Sequence, residues 1–491
     1  MAKGKNLKLH NPIEKHFNVI TPYHYYFFFL IFLSKLPIFW HVLNLIFLTP
    51  PMKYYCEGGC PYCPYLSWDR SVFSETMQTK FNLVCDKTWL VSFSNSISYV
   101  GTLIGSLLFG FLSDKFGRLN SFTISCLILA ISGCLVSVMP MEGLFIFMRC
   151  IEGIGVGGAI VTAYVLCIEF CGVRHRESVT ALFHIPINIS HMTLAGISYL
   201  LRHCDDFQLA LSVPVFFFVA MKWLVMESPK WLMDNDRVEE AAIVMEKISK
   251  FNRLSSETIK EEIEAYHATQ GQKRRTKVKF WQIFNHKKLT LNLGCMSVIY
   301  FVCGMGYYGV SQYIGRMSGD IHANVAISGA LLLPGTITAF FLLKILNRRT
   351  FLMGTTFLSG LFMIIVICIP YHMGWFRVVI ACICNCFFFM SFIIVFLYGV
   401  ELFPTTIRNS VLGFLSVLSR VGQIVAPPIN SLPETAAGGI FGAMAIIGSI
   451  LCYPLPETKD IELPSSLEDS KSLPRKRTST LEENYNAVEM K

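Results

Sequence analysis

Two basic residues stand deep inside long apolar runs of this chain, Lys35 and Arg420. An ionised side chain in such a setting is costly and is usually kept for binding or ion movement. Arg420 lies in Leu415-Ser-Val-Leu-Ser-Arg420-Val-Gly-Gln-Ile, near the middle of its run, with no acid close in sequence. Lys35 is well removed from either end of the run 25–48. Among the acids, Glu142, Glu169, Glu227 and Glu401 fall at run ends, and Glu152 follows Arg149 by one helical turn, so that these two neutralise each other. Two central cations and no free central carboxylate predict recognition of an anionic or zwitterionic group by charge-assisted contacts. Bond-making chemistry has no support, because no nucleophile–base pair and no metal-ligand cluster is present. The glycines Gly153, Gly155 and Gly158 match a dinucleotide pattern but follow no strand, so they predict close helix packing. No Gly-x-x-x-x-Gly-Lys-Ser/Thr occurs, so no ATP engine, metal or cofactor is expected, and the chain is not expected to be an enzyme.

The elements that must position these residues follow from composition. The 491 residues are 53% hydrophobic and 15% charged, with 40 Phe and a mean hydropathy of +0.50. Apolar runs long enough to cross a bilayer recur along the chain. They predict an all-α membrane protein with twelve spans, at 25–48, 89–112, 120–140, 143–166, 179–201, 207–226, 289–311, 323–345, 350–370, 375–399, 411–431 and 436–454. The formal net charge of +9 sits mostly in loops, which fits positive-inside topology and not a nucleic-acid partner. Lys3, Lys5, Lys8, Lys15, Lys115, Arg118, Arg174, Arg176, Arg348, Arg349 and Arg408 fall on one side, so both termini are expected in the cytoplasm. The expected organisation is a six-helix bundle at 1–226, a cytoplasmic loop at 227–288, a second six-helix bundle at 289–455 and a disordered tail at 456–491. The loop 227–288 carries an amphipathic helix candidate, Arg237 to Phe251. The polar loop 49–88 is then extracellular, and its Cys56, Cys60, Cys63 and Cys85 are disulfide candidates with pairing left open.

Charged motifs at the span ends narrow the class. The second span runs into Gly110-Phe-Leu-Ser-Asp114-Lys115-Phe-Gly117-Arg118, the tight turn that a very short loop between two membrane helices needs. Span 4 ends in Glu169-Phe-Cys-Gly-Val-Arg-His-Arg176, and span 10 in Glu401-Leu-Phe-Pro-Thr-Thr-Ile-Arg408. Asn347-Arg348-Arg349 sits in the second half where Gly117-Arg118 sits in the first, as expected for parallel six-helix repeats. After span 6 comes Glu227-Ser-Pro-Lys-Trp-Leu232. Together these motifs resemble solute carrier family 22, the organic cation, anion and zwitterion transporters of the major facilitator superfamily, over essentially the whole chain. The chain departs from the family at Arg118-Leu119-Asn120, which lacks the usual second base, and at Arg202-His-Cys-Asp205-Asp206, which stands in place of a Trp-Arg pair.

The resemblance implies a secondary or exchange transporter of small organic ions, working by alternating access in the plasma membrane. Its partners would be the substrate, a coupling or exchange ion and the lipid bilayer. Arg420 matches an Arg of the family's anion and zwitterion members, where cation members have an acid. Tyr307 and Tyr308 match a cavity-lining Tyr pair, with Phe392, Phe396 and Tyr398 similarly placed; with Lys35 they complete the candidate substrate site. Span 8 of typical anion exchangers has a Lys where this chain has Thr336, so carnitine-like zwitterions and cations stay as alternatives, as does a non-transporting receptor on the same fold. Asp114 is implied to face the start of helix 11 near Ser410. Arg118 and Arg176 would pair with Glu169 or Glu227, and Arg348, Arg349 and Arg408 with Glu401, latching the bundles. His41, His184 and His191 are candidate proton carriers.

Overall fold

The computed structural model describes residues 12–57, 60, 65–172, 175, 179–180, 182–254, 259–270, 280–404 and 407–459. Among the described residues, twelve long helices follow the apolar runs. They are α1 (Pro22–Leu43), α2 (Trp89–Phe116), α3 (Arg118–Val138), α4 (Glu142–Glu169), α5 (Ile185–Leu200), α6 (Cys204–Val219), α7 (Lys287–Arg316), α8 (Ile321–Ile345), α9 (Arg348–Cys368), α10 (Gly374–Leu402), α11 (Arg408–Asn430) and α12 (Glu434–Cys452). Eleven of these segments are long and apolar enough to cross a membrane. The expected fifth span, 179–201, differs: α5 has 16 residues and is preceded by a turn at Phe183 and His184. Pro186 in its first turn explains the break, because proline starts a helix readily and cannot continue one.

The chain forms two compact units. The first holds residues 1–44, 101–190 and 203–276, and the second holds 45–100, 191–202 and 277–491, so α2 and α5 each contribute to both. Within the first unit, α3 packs on α4 and α6, and α1 on α4 and α6. Glycine is what allows α2 and α4 to touch backbone to backbone: a Cβ at Gly101 would meet the carbonyl of Cys150, and one at Gly105 that of Ile154. Gly155 faces Leu129 of α3, Gly158 faces Phe109 of α2 and Ser125 of α3, and Gly157 faces the backbone of Thr102. Within the second unit, α7 packs on α10, α11 and α12, α9 on α10 and α12, and α8 on α10. The helix Val238–Phe251 buries Ala241, Ala242, Met245 and Ile248, the face its periodicity predicts. Between α1 and α2 lies a two-stranded antiparallel ribbon, Tyr54–Glu57 with Tyr65–Trp68.

Candidate functional site

The second unit gathers aromatic rings on α7 and α10, one of which, Tyr308, lies near Arg420. α7 and α11 approach closely because Gly304 faces the backbone of Ser419 and Gly422 faces that of Phe301. This contact brings Arg420 within electrostatic reach of Tyr308. Arg420 is half-buried and makes no hydrogen bond or ion pair among the described residues. Tyr307 and Tyr308 pack at 4.8 Å between ring centroids, Phe392 lies 5.8 Å from Tyr307, and Phe396 lies 5.2 Å from Phe392. Tyr99 and Phe389, which the sequence does not single out, complete the cluster at 5.9 Å from Tyr308 and 4.9 Å from Tyr307. The Tyr307 hydroxyl is buried without a partner among the described residues. Gln312 donates to the Tyr99 hydroxyl at 3.0 Å, and Asn430 to the Gly309 carbonyl at 2.9 Å, fixing the polar floor beside the rings. The surroundings therefore combine a cation, phenol hydroxyls and flat apolar faces, the requirements for holding an aromatic or apolar ion.

Tyr398 does not join this cluster. It is fully buried and donates to the Pro456 carbonyl. Residues 392 and 396 are one turn apart and share a face of α10, whereas residue 398 is turned well away from them. Lys35 belongs to the first unit, is 1% exposed, and donates to the Phe183 carbonyl while lying over the Phe183 ring. It thus satisfies a backbone carbonyl at the turn before α5.

A second buried group in the first unit surrounds Glu152, which is 1% exposed within α4. Glu152 accepts from Arg149 at 2.9 Å, His41 at 2.5 Å and Gln208 at 2.9 Å, and Asn44 bridges to Arg149 at 3.1 Å. The expected Arg149–Glu152 pair is therefore present, and the His and two amides around it complete the satisfaction of a buried carboxylate. His184 is half-buried at the turn before α5, and His191 is buried within α5.

The loop charges form one cluster in each unit. In the first, Arg118 donates to Glu169 at 3.0 Å and to Asp114. Glu227 caps α3: it accepts from the backbone nitrogens of Arg118 and Leu119 at 3.0 Å each, and from Ser228 N at 2.9 Å. A carboxylate there answers the exposed N–H groups and positive pole of the helix. Gly117 makes the turn at φ 102, and a Cβ on it would strike the Glu227 carboxylate. The Trp231 indole donates to the Asp114 carbonyl at 2.8 Å.

In the second unit, Arg348 donates to Glu401 at 3.3 Å, and Thr458 donates to Glu401 at 2.7 Å. Glu457 caps α9, accepting from the backbone nitrogens of Arg348 at 2.8 Å and Arg349 at 3.3 Å. Arg349 and Arg408 do not meet Glu401 as expected. The Arg349 guanidinium donates to the carbonyls of Tyr453 and Leu455, and Arg408 to that of Phe403. Arg348 already holds Glu401, and the turn at Phe403–Pro404 offers Arg408 a nearer acceptor. Lys115 lies by the Phe116 ring, exposed. Arg176 lies outside the described residues, as does Cys63. Cys60 and Cys85 form a disulfide across 25 residues, and Cys56 is also disulfide-bonded.

Comparison with known proteins decides the family. The family model "Sugar (and other) transporter" matches residues 63–466. Solute carrier family 22 member 3 of Rattus norvegicus is 30% identical over 438 residues, covering 86% of this chain and 77% of the relative. The chain belongs to solute carrier family 22. Among its relatives, the organic cation transporter protein of Drosophila melanogaster is 29% identical over 423 residues, covering 84% of this chain and 77% of that protein. Member 6 of the family from Rattus norvegicus is 28% identical over 415 residues, covering 83% of this chain and 75% of the relative. The inward open xylose transporter XylE from E. coli shares the fold, with a TM-score of 0.68 at 17% identity, covering 92% of this chain and 99% of that one. This member of the family is thus a multi-pass membrane protein with the major facilitator fold, and its relatives are transporters, not enzymes. Glu457 was missed in the sequence, although its signal is present: Met226-Glu-Ser-Pro-Lys230 and Leu455-Pro-Glu-Thr-Lys459 each place an acid, a hydroxyl and a lysine just after a span.

Proposed function

We propose that this chain is a secondary or exchange transporter of small organic ions, organic anions above all, in the plasma membrane. The reading rests on Arg420. A half-buried guanidinium with no hydrogen bond or ion pair among the described residues, beside Tyr308 and a bank of rings, is suited to an anionic ligand with a flat apolar body. A carboxylate or sulfonate would restore the lost solvation through a bidentate contact. Transport would proceed by alternating access between two six-helix bundles, 1–226 and 289–455, with both termini cytoplasmic and the disulfide loop outside. The charge clusters would stabilise one closed state, with Asp114 reaching the start of helix 11 near Ser410. Carnitine-like zwitterions are the second reading, favoured by Thr336, a neutral residue on α8, and by rings that also suit a quaternary ammonium.

The test is uptake of a matched anion and cation by wild type and by Arg420→Asp, normalised to surface protein. The Asp variant should lose anion uptake, and Arg420→Lys should keep the preference at a reduced rate. Unchanged anion uptake by the Asp variant would make Arg420 a packing residue.

A further inference from the structure

The amino-terminal end of α7 carries a groove that the transport reading does not use. Its cavity is about 520 Å³, lined by Phe284, Lys287, Thr290, Leu291, Gly294, Cys295, Val298 and Leu451. Six of these lie at helical spacing on one face of α7, and Leu451 comes from α12, which packs against it. The groove is graded along its length. Lys287 and Thr290 stand at one end, and Val298 and Leu451 are apolar, with no acid among the lining residues. From residue 287 to residue 298 the helix rises about 16 Å, close to the depth of one leaflet, about 15 Å.

Its mouth is built like a membrane interface. The short helix Phe280–Asn285 buries Ile283 completely and leaves Trp281 and Phe284 72% and 51% exposed, their rings stacked at 6.1 Å. Aromatic rings beside lysine are typical anchors at headgroup level. Lys287 and Lys288 are exposed there. The sequence leading into Phe280 adds Lys273, Arg274, Arg275, Lys277 and Lys279. That density of positive charge next to a span draws anionic lipid.

We propose that this groove is a binding site for one anionic phospholipid, with its phosphate at Lys287 and an acyl chain along Gly294, Cys295, Val298 and Leu451. Gly294 is the opening for the chain: a Cβ there would meet nothing within 4 Å. A larger side chain at this position therefore fills the groove without striking the protein, and leucine also favours the helix over glycine.

The experiment measures lipid retention on the purified full-length protein in detergent by native mass spectrometry, with phosphatidylserine and phosphatidylcholine as probes. Wild type should retain phosphatidylserine in preference. Lys287→Ala should lower phosphatidylserine affinity about fivefold, the effect of one basic residue at a lipid surface, and weaken phosphatidylcholine, whose phosphate is offset by a cationic choline, less. Gly294→Leu should weaken both lipids while unfolding at or above the wild-type temperature. Inorganic phosphate and soluble glycerophosphoserine should fail to displace the lipid at matched concentration. Equal retention of the two lipids by wild type overturns the proposal. So does unchanged phosphatidylserine retention in Gly294→Leu, since the basic run alone would then be holding lipid. Full displacement by either soluble anion also overturns it, by making the site one for free phosphate.

Discussion

Arg118 opens α3 in the first unit and Arg348 opens α9 in the second, and each is surrounded by the same three kinds of partner. An acid at the end of an earlier span takes the guanidinium, Glu169 in one case and Glu401 in the other. An acid just after a later span, Glu227 or Glu457, caps the helix through the backbone nitrogens. A hydroxyl follows each capping acid: Ser228 lies within electrostatic reach of Glu169, and Thr458 donates to Glu401. The differences lie four residues earlier. Asp114 gives Arg118 a second carboxylate, whereas Lys344 stands in the matching place and Arg348 turns to the Leu343 carbonyl at 2.6 Å instead. The turn differs too, with Gly117 at φ 102 and Asn347 at φ −66. The capping arrangement is thus shared, while the first unit alone carries the extra negative charge and the left-handed turn. The shared part is what holds a helix start under a span. The extra acid, 73% exposed, is not needed for that.

The comparison can be broken by substitution. Arg118→Ala should be the most damaging, at about 3 kcal/mol in thermal unfolding, because it removes the base shared by Asp114 and by Glu169, the more buried of the two. Arg348→Ala should cost less, since Thr458 still serves Glu401 and Arg349 stays next to Glu457; equal losses would mean that Asp114 adds nothing to the first cluster. Gly117→Ala should lose about 2 kcal/mol from the left-handed backbone and the strike on Glu227, whereas Asn347→Ala should stay within about 0.5 kcal/mol. A matching loss at both positions would sink the claim that the two turns differ. Glu227→Gln and Glu457→Gln should each cost about 1 kcal/mol, the value of a charge at a helix N-terminus. If only one of the pair is sensitive, the two caps are not equivalent. Asp114→Asn should change stability least, by under about 0.5 kcal/mol, yet slow uptake at normal surface abundance. Normal transport by that variant would leave the exposed acid with a topological role alone.

Much of the fold was legible because a bilayer imposes length and apolarity on every span, and these are properties of local sequence. The break before α5 was written in Pro186, yet the apolar run continues through it, so hydropathy alone extended the span. The charge pairs Arg118–Glu169 and Arg348–Glu401 were readable from repeated motifs, and the caps less so. Glu227 stood inside a recognised motif but looked like an ion-pair partner, and its actual partners are backbone nitrogens, which carry no sequence signal. Among the rings, Tyr307, Tyr308, Phe392 and Phe396 come together, but Tyr99 and Phe389 could not be told from the many other aromatics of this chain.

The sequence by itself determined that this is a helical membrane protein of solute carrier family 22, with a lone Arg420 inside an apolar span and acids kept to span ends or paired on one helix. Those facts depend on residue type and on spacing along a single helix. Only the tertiary structure decided which buried cation has a protein partner. Lys35 meets the Phe183 carbonyl and ring, contacts between segments far apart in sequence, while Arg420 makes no hydrogen bond or ion pair among the described residues. Whether a buried charge is satisfied is set by what neighbouring helices place within a few ångströms of it, and that is fixed by packing, not by the order of residues along one span.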